Sequence, residues 1–177
     1  QTINGASAVL NNVSALAGTL NINSPSLTVN GNVELARGAE LKLGESYSLN
    51  EGHTLYLLGG EEGSGSAVLN SDLVLNGGSI SIDARNLSDT SALLALCKDV
   101  TMDSNFDGSC QIDFTGTSAI SFGADYLLST GDWSLLNERI SAVTDNYADA
   151  TFTASATGLS VKFSLKDGYV LWNGDEN

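Results

Sequence analysis

Apolar and polar residues alternate along the first half of this chain in short, recurring bursts. Ala8-Val9-Leu10-Asn11 returns unchanged as Ala67-Val68-Leu69-Asn70, with Leu27-Thr28-Val29-Asn30 and Tyr47-Ser48-Leu49-Asn50 between them. The closing asparagines fall at 11, 30, 50 and 70, in steps of 19, 20 and 20. Each burst has the period of two that belongs to a strand with one buried face. A second column runs Val33-Glu34-Leu35, Leu55-Tyr56-Leu57 and Leu73-Val74-Leu75. A third runs Leu20-Asn21-Ile22, Leu41-Lys42-Leu43 and Ile80-Ser81-Ile82. Strands therefore arrive every six to eight residues, too close for helices between them.

Periodicity of this kind predicts an all-β fold, a parallel β-solenoid of about 20 residues per coil spanning residues 1–130. Each coil lends one strand to each of three sheets. Apolar residues fill the interior, and Thr28, Glu34, Lys42 and Tyr56 point outward. Gly31, Gly38, Gly44 and Gly52 fall at corners, where positive φ costs glycine little. The aligned Asn11, Asn30, Asn50 and Asn70 are expected to form a side-chain ladder at one corner. An antiparallel β-sandwich also accommodates short strands; it leaves the in-register asparagines unexplained.

The pattern breaks at Gly59-Gly60-Glu61-Glu62-Gly63-Ser64-Gly65-Ser66, read as an acidic loop standing where the third coil should carry its last strand. Beyond residue 85 it loosens further. Residues 131–177 read as a capping segment. Gly131–Val143 is expected to be a helix capped by Asp132, with Trp133, Leu136, Ile140 and Val143 at helical spacing. Strands follow over Thr151–Ala154, Leu159–Leu165 and Tyr169–Trp172. Asp167-Gly168 signals a hairpin between the last two, giving an antiparallel cap.

Charge narrows the partners. Seven basic against 21 acidic residues give a net charge of -14, a field that repels nucleic acid and anionic lipid. No apolar run is long enough to span a membrane. No basic segment followed by an apolar stretch opens the chain, so a signal peptide is expected to have been removed or not included. Cys97 and Cys110 are expected to pair as a local disulfide in an exported protein; two buried free thiols are the alternative.

Catalytic chemistry finds little support. His53 is the single histidine, in a corner without a nucleophile motif, and Arg37, Arg85 and Arg139 form no cluster. Asp103-Ser104-Asn105-Phe106-Asp107-Gly108 opens like a calcium loop, with Asp103, Asn105 and Asp107 as ligands. Its twelfth position, however, is Phe114 rather than a carboxylate. The alternative is an ordinary turn. Tyr56, Tyr126 and Trp133 are candidates for a glycan-stacking platform. No cofactor is expected other than calcium.

The asparagine-punctuated strands, and the stretch from Asp125-Tyr126-Leu127-Leu128 to Gly168-Tyr169-Val170-Leu171-Trp172-Asn173-Gly174, resemble the β-helical passenger segments of autotransporter-like bacterial surface proteins. That resemblance implies a right-handed, extracellular, surface-displayed β-helix. Adhesion or scaffolding is then commoner than catalysis, and no fixed catalytic residues carry over. The expected function is a non-enzymatic structural or adhesive module. Its partners would be glycans, neighbouring surface proteins or further copies joined end to end. A glycan-binding module is the second expectation, and a glycan-active lyase or hydrolase the third.

Overall fold

The computed structural model describes residues 1–60 and 65–170. The fold is all-β, with 54% strand and 7% helix, and most strands pair in parallel. In chain order the strands are β1 (Thr2–Asn4), β2 (Ala8–Leu10), β3 (Val13–Ala15), β4 (Gly18–Asn23), β5 (Leu27–Val29) and β6 (Val33–Ala36). Next come β7 (Ala39–Leu43), β8 (Tyr47–Asn50), β9 (Thr54–Leu58), β10 (Ala67–Asn70), β11 (Leu73–Asn76) and β12 (Ser79–Asp83). The last seven are β13 (Leu94–Leu96), β14 (Val100–Met102), β15 (Cys110–Thr115), β16 (Asp125–Thr130), β17 (Ile140–Val143), β18 (Ala148–Ser155) and β19 (Gly158–Leu165).

Most neighbouring strands stand three places apart in the chain; β15-β17 and β19-β18 are the exceptions. One sheet runs β1-β4-β7-β10-β13-β16 and then β19-β18. A second runs β3-β6-β9-β12-β15-β17. The remaining strands form a pair, β2-β5, and a trio, β8-β11-β14. Register keeps like with like: Val13, Val33, Leu55, Ile80 and Ile112 lie side by side. All five are buried, and a single apolar cluster extends from Val13 to Phe163. Thr28 and Lys42 are exposed and Glu34 and Tyr56 half-buried, so the outward set is as the alternation predicts.

Pairing runs parallel up to β16 and β17, then reverses. β19 lies antiparallel to both β16 and β18, which gives the antiparallel end-piece, whereas the parallel pairing of the other strands excludes a wholly antiparallel sandwich. Its hairpin turns at Ala156-Thr157, not at Asp167-Gly168. The latter pair is a turn with Gly168 at φ 88°, but Tyr169 and Val170 are not in a strand. The rest of the expected strand, including Trp172, lies outside the described residues, as does 61–64 of the expected loop.

The expected helix over Gly131–Val143 is instead a 3-10 helix, Ser134–Arg139, followed by β17. Its N-cap is Trp133 rather than the expected Asp132, which stands one place earlier and accepts from the Ser134 N–H at 2.9 Å. With three residues per turn, Trp133 and Leu136 face the same way, and both are buried. Val143 is not part of that stripe; it stands half-exposed on β17.

The repeat also lands differently from its sequence columns. Ala67–Asn70 pairs with β7, so Asn70 lies opposite Lys42 rather than Asn50. Leu73–Asn76 takes the place beside β8, and Ser79–Asp83 the place beside β9. The segment after Leu58 therefore follows a completed set of three strands; it does not replace the third.

Candidate functional site

Two of the hollows on the strand surfaces grow from how short strands meet their neighbours. The larger, of about 320 Å³, lies where β5 and β8 are not paired. Thr28 and Ser48 border it, together with the row Asn50, Asn76 and Asp103. Tyr47 occupies the inward position that Leu73 and Val100 fill in the next strands. Its side chain is 1% exposed, its hydroxyl has no partner, and burial pushes that hydroxyl's pKa upward. No aromatic face is therefore open to this hollow. It is a polar gap bordered by two strand edges.

The smaller hollow, of about 270 Å³, is bounded by Asn12, Ser14, Asn32, Glu34 and Tyr56. Ser14, Glu34 and Tyr56 project side by side from β3, β6 and β9, because the register sets Ser14 against Glu34 and Glu34 against Tyr56. Above that row, Asn12 accepts the Asn32 backbone N–H at 2.9 Å through Oδ1. Asn32 in turn accepts the Thr54 N–H at 2.9 Å through its own Oδ1. These contacts engage both Oδ1 atoms, leaving both Nδ2 groups as donors. Ser14 donates from Oγ to Glu34 Oε2 at 2.7 Å, which leaves Oε1 as an acceptor.

The side-chain ladder expected over Asn11, Asn30, Asn50 and Asn70 does not join those four residues to one another. Asn11 and Asn30 end paired strands without a side-chain bond between them. Asn50 accepts from Asn76 Nδ2 at 2.8 Å, and Asn70 donates to Glu40 at 3.1 Å. Asn12 and Asn32 carry the amide-to-backbone ladder that the sequence reading missed. A signal was present: a polar residue directly precedes the inward Val13, Val33, Leu55 and Ile80.

The other candidates are not brought together. Tyr126 is buried, its hydroxyl donating to Ser121 O at 3.2 Å and accepting from Ser121 N at 2.9 Å. Trp133 is fully buried, with Nε1 donating to Thr130 O at 3.1 Å. An exposed platform of three aromatics does not form, and only Tyr56 is left at a surface.

Asp103 spends Oδ1 on the Asn105 N–H at 2.8 Å, an Asx turn. Arg139 donates to Phe106 O at 2.8 Å and Gly108 O at 2.7 Å, so a guanidinium holds the loop's carbonyls. Asn105 and Asp107 are exposed, and among the described residues no three His, Cys, Asp or Glu side chains converge as metal ligands. Cys97 and Cys110 are free thiols, so the expected disulfide is not formed. They sit on different sheets: Cys97 is exposed just beyond β13, whereas Cys110 is buried at the start of β15. Burial, with Asp113 nearby, pushes the Cys110 thiol up to about 12. His53 is half-buried at its corner, with Nδ1 unpartnered, and its main chain bridges Asn50 and Ser79.

The chain matches no protein-family model, no curated protein and no solved structure.

Proposed function

We propose that the chain is a right-handed β-solenoid module displayed outside the cell, acting as a scaffold or adhesive rather than as an enzyme. The parallel pairing of most strands with the one three places on, inward residues aligned, is the observation that carries this reading. Right-handed crossover is the hand that twisted parallel strands favour. No single set of three strands buries its apolar row alone, so neighbouring sets stabilise one another and the whole behaves as a stiff spacer.

Further support comes from charge. At -14 the surface stays soluble and disfavours nucleic acid and anionic lipid, which points to neutral partners or other surface proteins.

The test is display on a bacterial surface through a heterologous membrane anchor. Cells carrying the chain are expected to adhere to glycan- or matrix-coated plates, or to one another, more than cells carrying the anchor alone. Equal adherence would remove the adhesive half of the proposal.

A further inference from the structure

We propose that the hollow between Asn12, Glu34 and Tyr56 is a binding site for one ring of a neutral oligosaccharide. It rests on the surface-module reading only for where the glycan is met.

A sugar ring presents vicinal hydroxyls, each able to donate and accept, beside a weakly polar C–H face. The hollow offers a matching set. Two amide donors, Nδ2 of Asn12 and of Asn32, remain for a ligand because both Oδ1 atoms are held by backbone N–H groups, and both residues line the hollow. One carboxylate oxygen, Glu34 Oε1, remains as a strong acceptor because Ser14 occupies Oε2. Tyr56, one strand beyond Glu34, adds a half-exposed aromatic ring with a polar tip.

All these groups stand on paired strands or on the ladder beside them, so little order has to be gained on binding. The volume of about 270 Å³ sits at the lower edge of small-molecule sites and suits a single ring of a longer chain.

Charge selects among sugars. The hollow is lined by no lysine or arginine, and it carries a carboxylate on a chain of net charge -14. Uronates and sulfated sugars are therefore disfavoured. A lone carboxylate also falls short of a calcium shell, so the ligand binds without a metal bridge.

The experiment is calorimetric titration of the intact chain with neutral hexasaccharides of glucose (α- and β-linked), mannose and N-acetylglucosamine, with oligogalacturonate as the charged comparison. At least one neutral probe is expected to bind with a Kd of about 1 mM or tighter. Asn32→Asp keeps the acceptor that holds Thr54 and deletes the Nδ2 donor. It should weaken binding about tenfold while leaving the thermal midpoint close to that of the parent. Glu34→Gln and Tyr56→Ala should each weaken binding to a similar extent. The proposal fails if no neutral probe binds, if only oligogalacturonate binds, or if the folded Asn32→Asp and Glu34→Gln variants bind like the parent. Should displayed cells still adhere when all three substitutions are present, the site is lost and the surface-module reading stands.

Discussion

Gly31 shows how closely the corners of successive strands approach. A Cβ there would lie 1.7 Å from the carbonyl oxygen of Asn11, so only glycine fits, although its φ is not positive. Gly38 and Gly52 are the corner glycines that do need positive φ, both at 78°. Beside these tight corners, Tyr47 is a misfit: a large phenol in a row of aliphatic residues, its buried hydroxyl unpartnered. Tyr47→Phe removes that orphaned group at constant shape and should raise stability by about 1 kcal/mol in urea denaturation. A loss of stability would mean that the hydroxyl is satisfied by water in the adjoining hollow. In-and-out alternation was legible residue by residue, as Thr28, Glu34, Lys42 and Tyr56 testify. The burial of Tyr126 and Trp133 was not, because alternation names two faces of a strand without saying which meets the core. Trp133 moreover lies just outside any strand.

Strands of three to six residues carry too little register information to find their own places. The tetrapeptide Ala-Val-Leu-Asn demonstrates it: as β2 it pairs with β5, and as β10 it pairs with β7 and β13. Connection lengths decide instead. The ladder partner lies 20 residues from Asn12 and then 22 from Asn32, whereas Asn76 lies 26 from Asn50. That drift is why a fixed period of about 20 placed β2 beside β5, β4 beside β7 and β6 beside β9, left β8 without the expected pairing to β5, and slipped after Leu58.

At the far end, the link between β17 and β18 is fastened to the exit of β15 by Asp145. Its Oδ2 accepts from the Thr117 hydroxyl, the Thr117 N–H and the Tyr147 hydroxyl. The Thr117 hydroxyl is the main influence holding this carboxyl below its ordinary value; the Tyr147 hydroxyl and the Thr117 N–H add to it, and partial desolvation opposes them. A depressed carboxyl stabilises the fold above the unfolded value of about 4, and that contribution is lost as pH falls through the folded value. The urea midpoint should therefore fall on acidification below about pH 5, and Asp145→Asn should flatten the profile. Identical slopes in parent and variant would show that this latch contributes nothing.

For the molecule as a whole, parallel pairing, a single apolar cluster and a reversed end follow from one arrangement. Strands of four sheets contribute to the apolar cluster, and β19-β18 ends the long sheet with antiparallel pairing. End-to-end joining at that edge would have to use β18, in an antiparallel context unlike the rest. The net charge of -14 opposes the approach of such edges in solution. The class of fold was readable because it rests on a repeat that many residues state together. The hollow was not, because Asn12, Glu34 and Tyr56 belong to three different sets of strands and meet only through register.

The most direct test of the solenoid is a set of backbone nuclear Overhauser contacts in the isotope-labelled chain. The account predicts parallel-sheet contacts linking Val13 to Val33, Val33 to Leu55, Leu55 to Ile80 and Ile80 to Ile112. Antiparallel contacts between sequence-adjacent strands, such as β5 with β6 or β8 with β9, would contradict it.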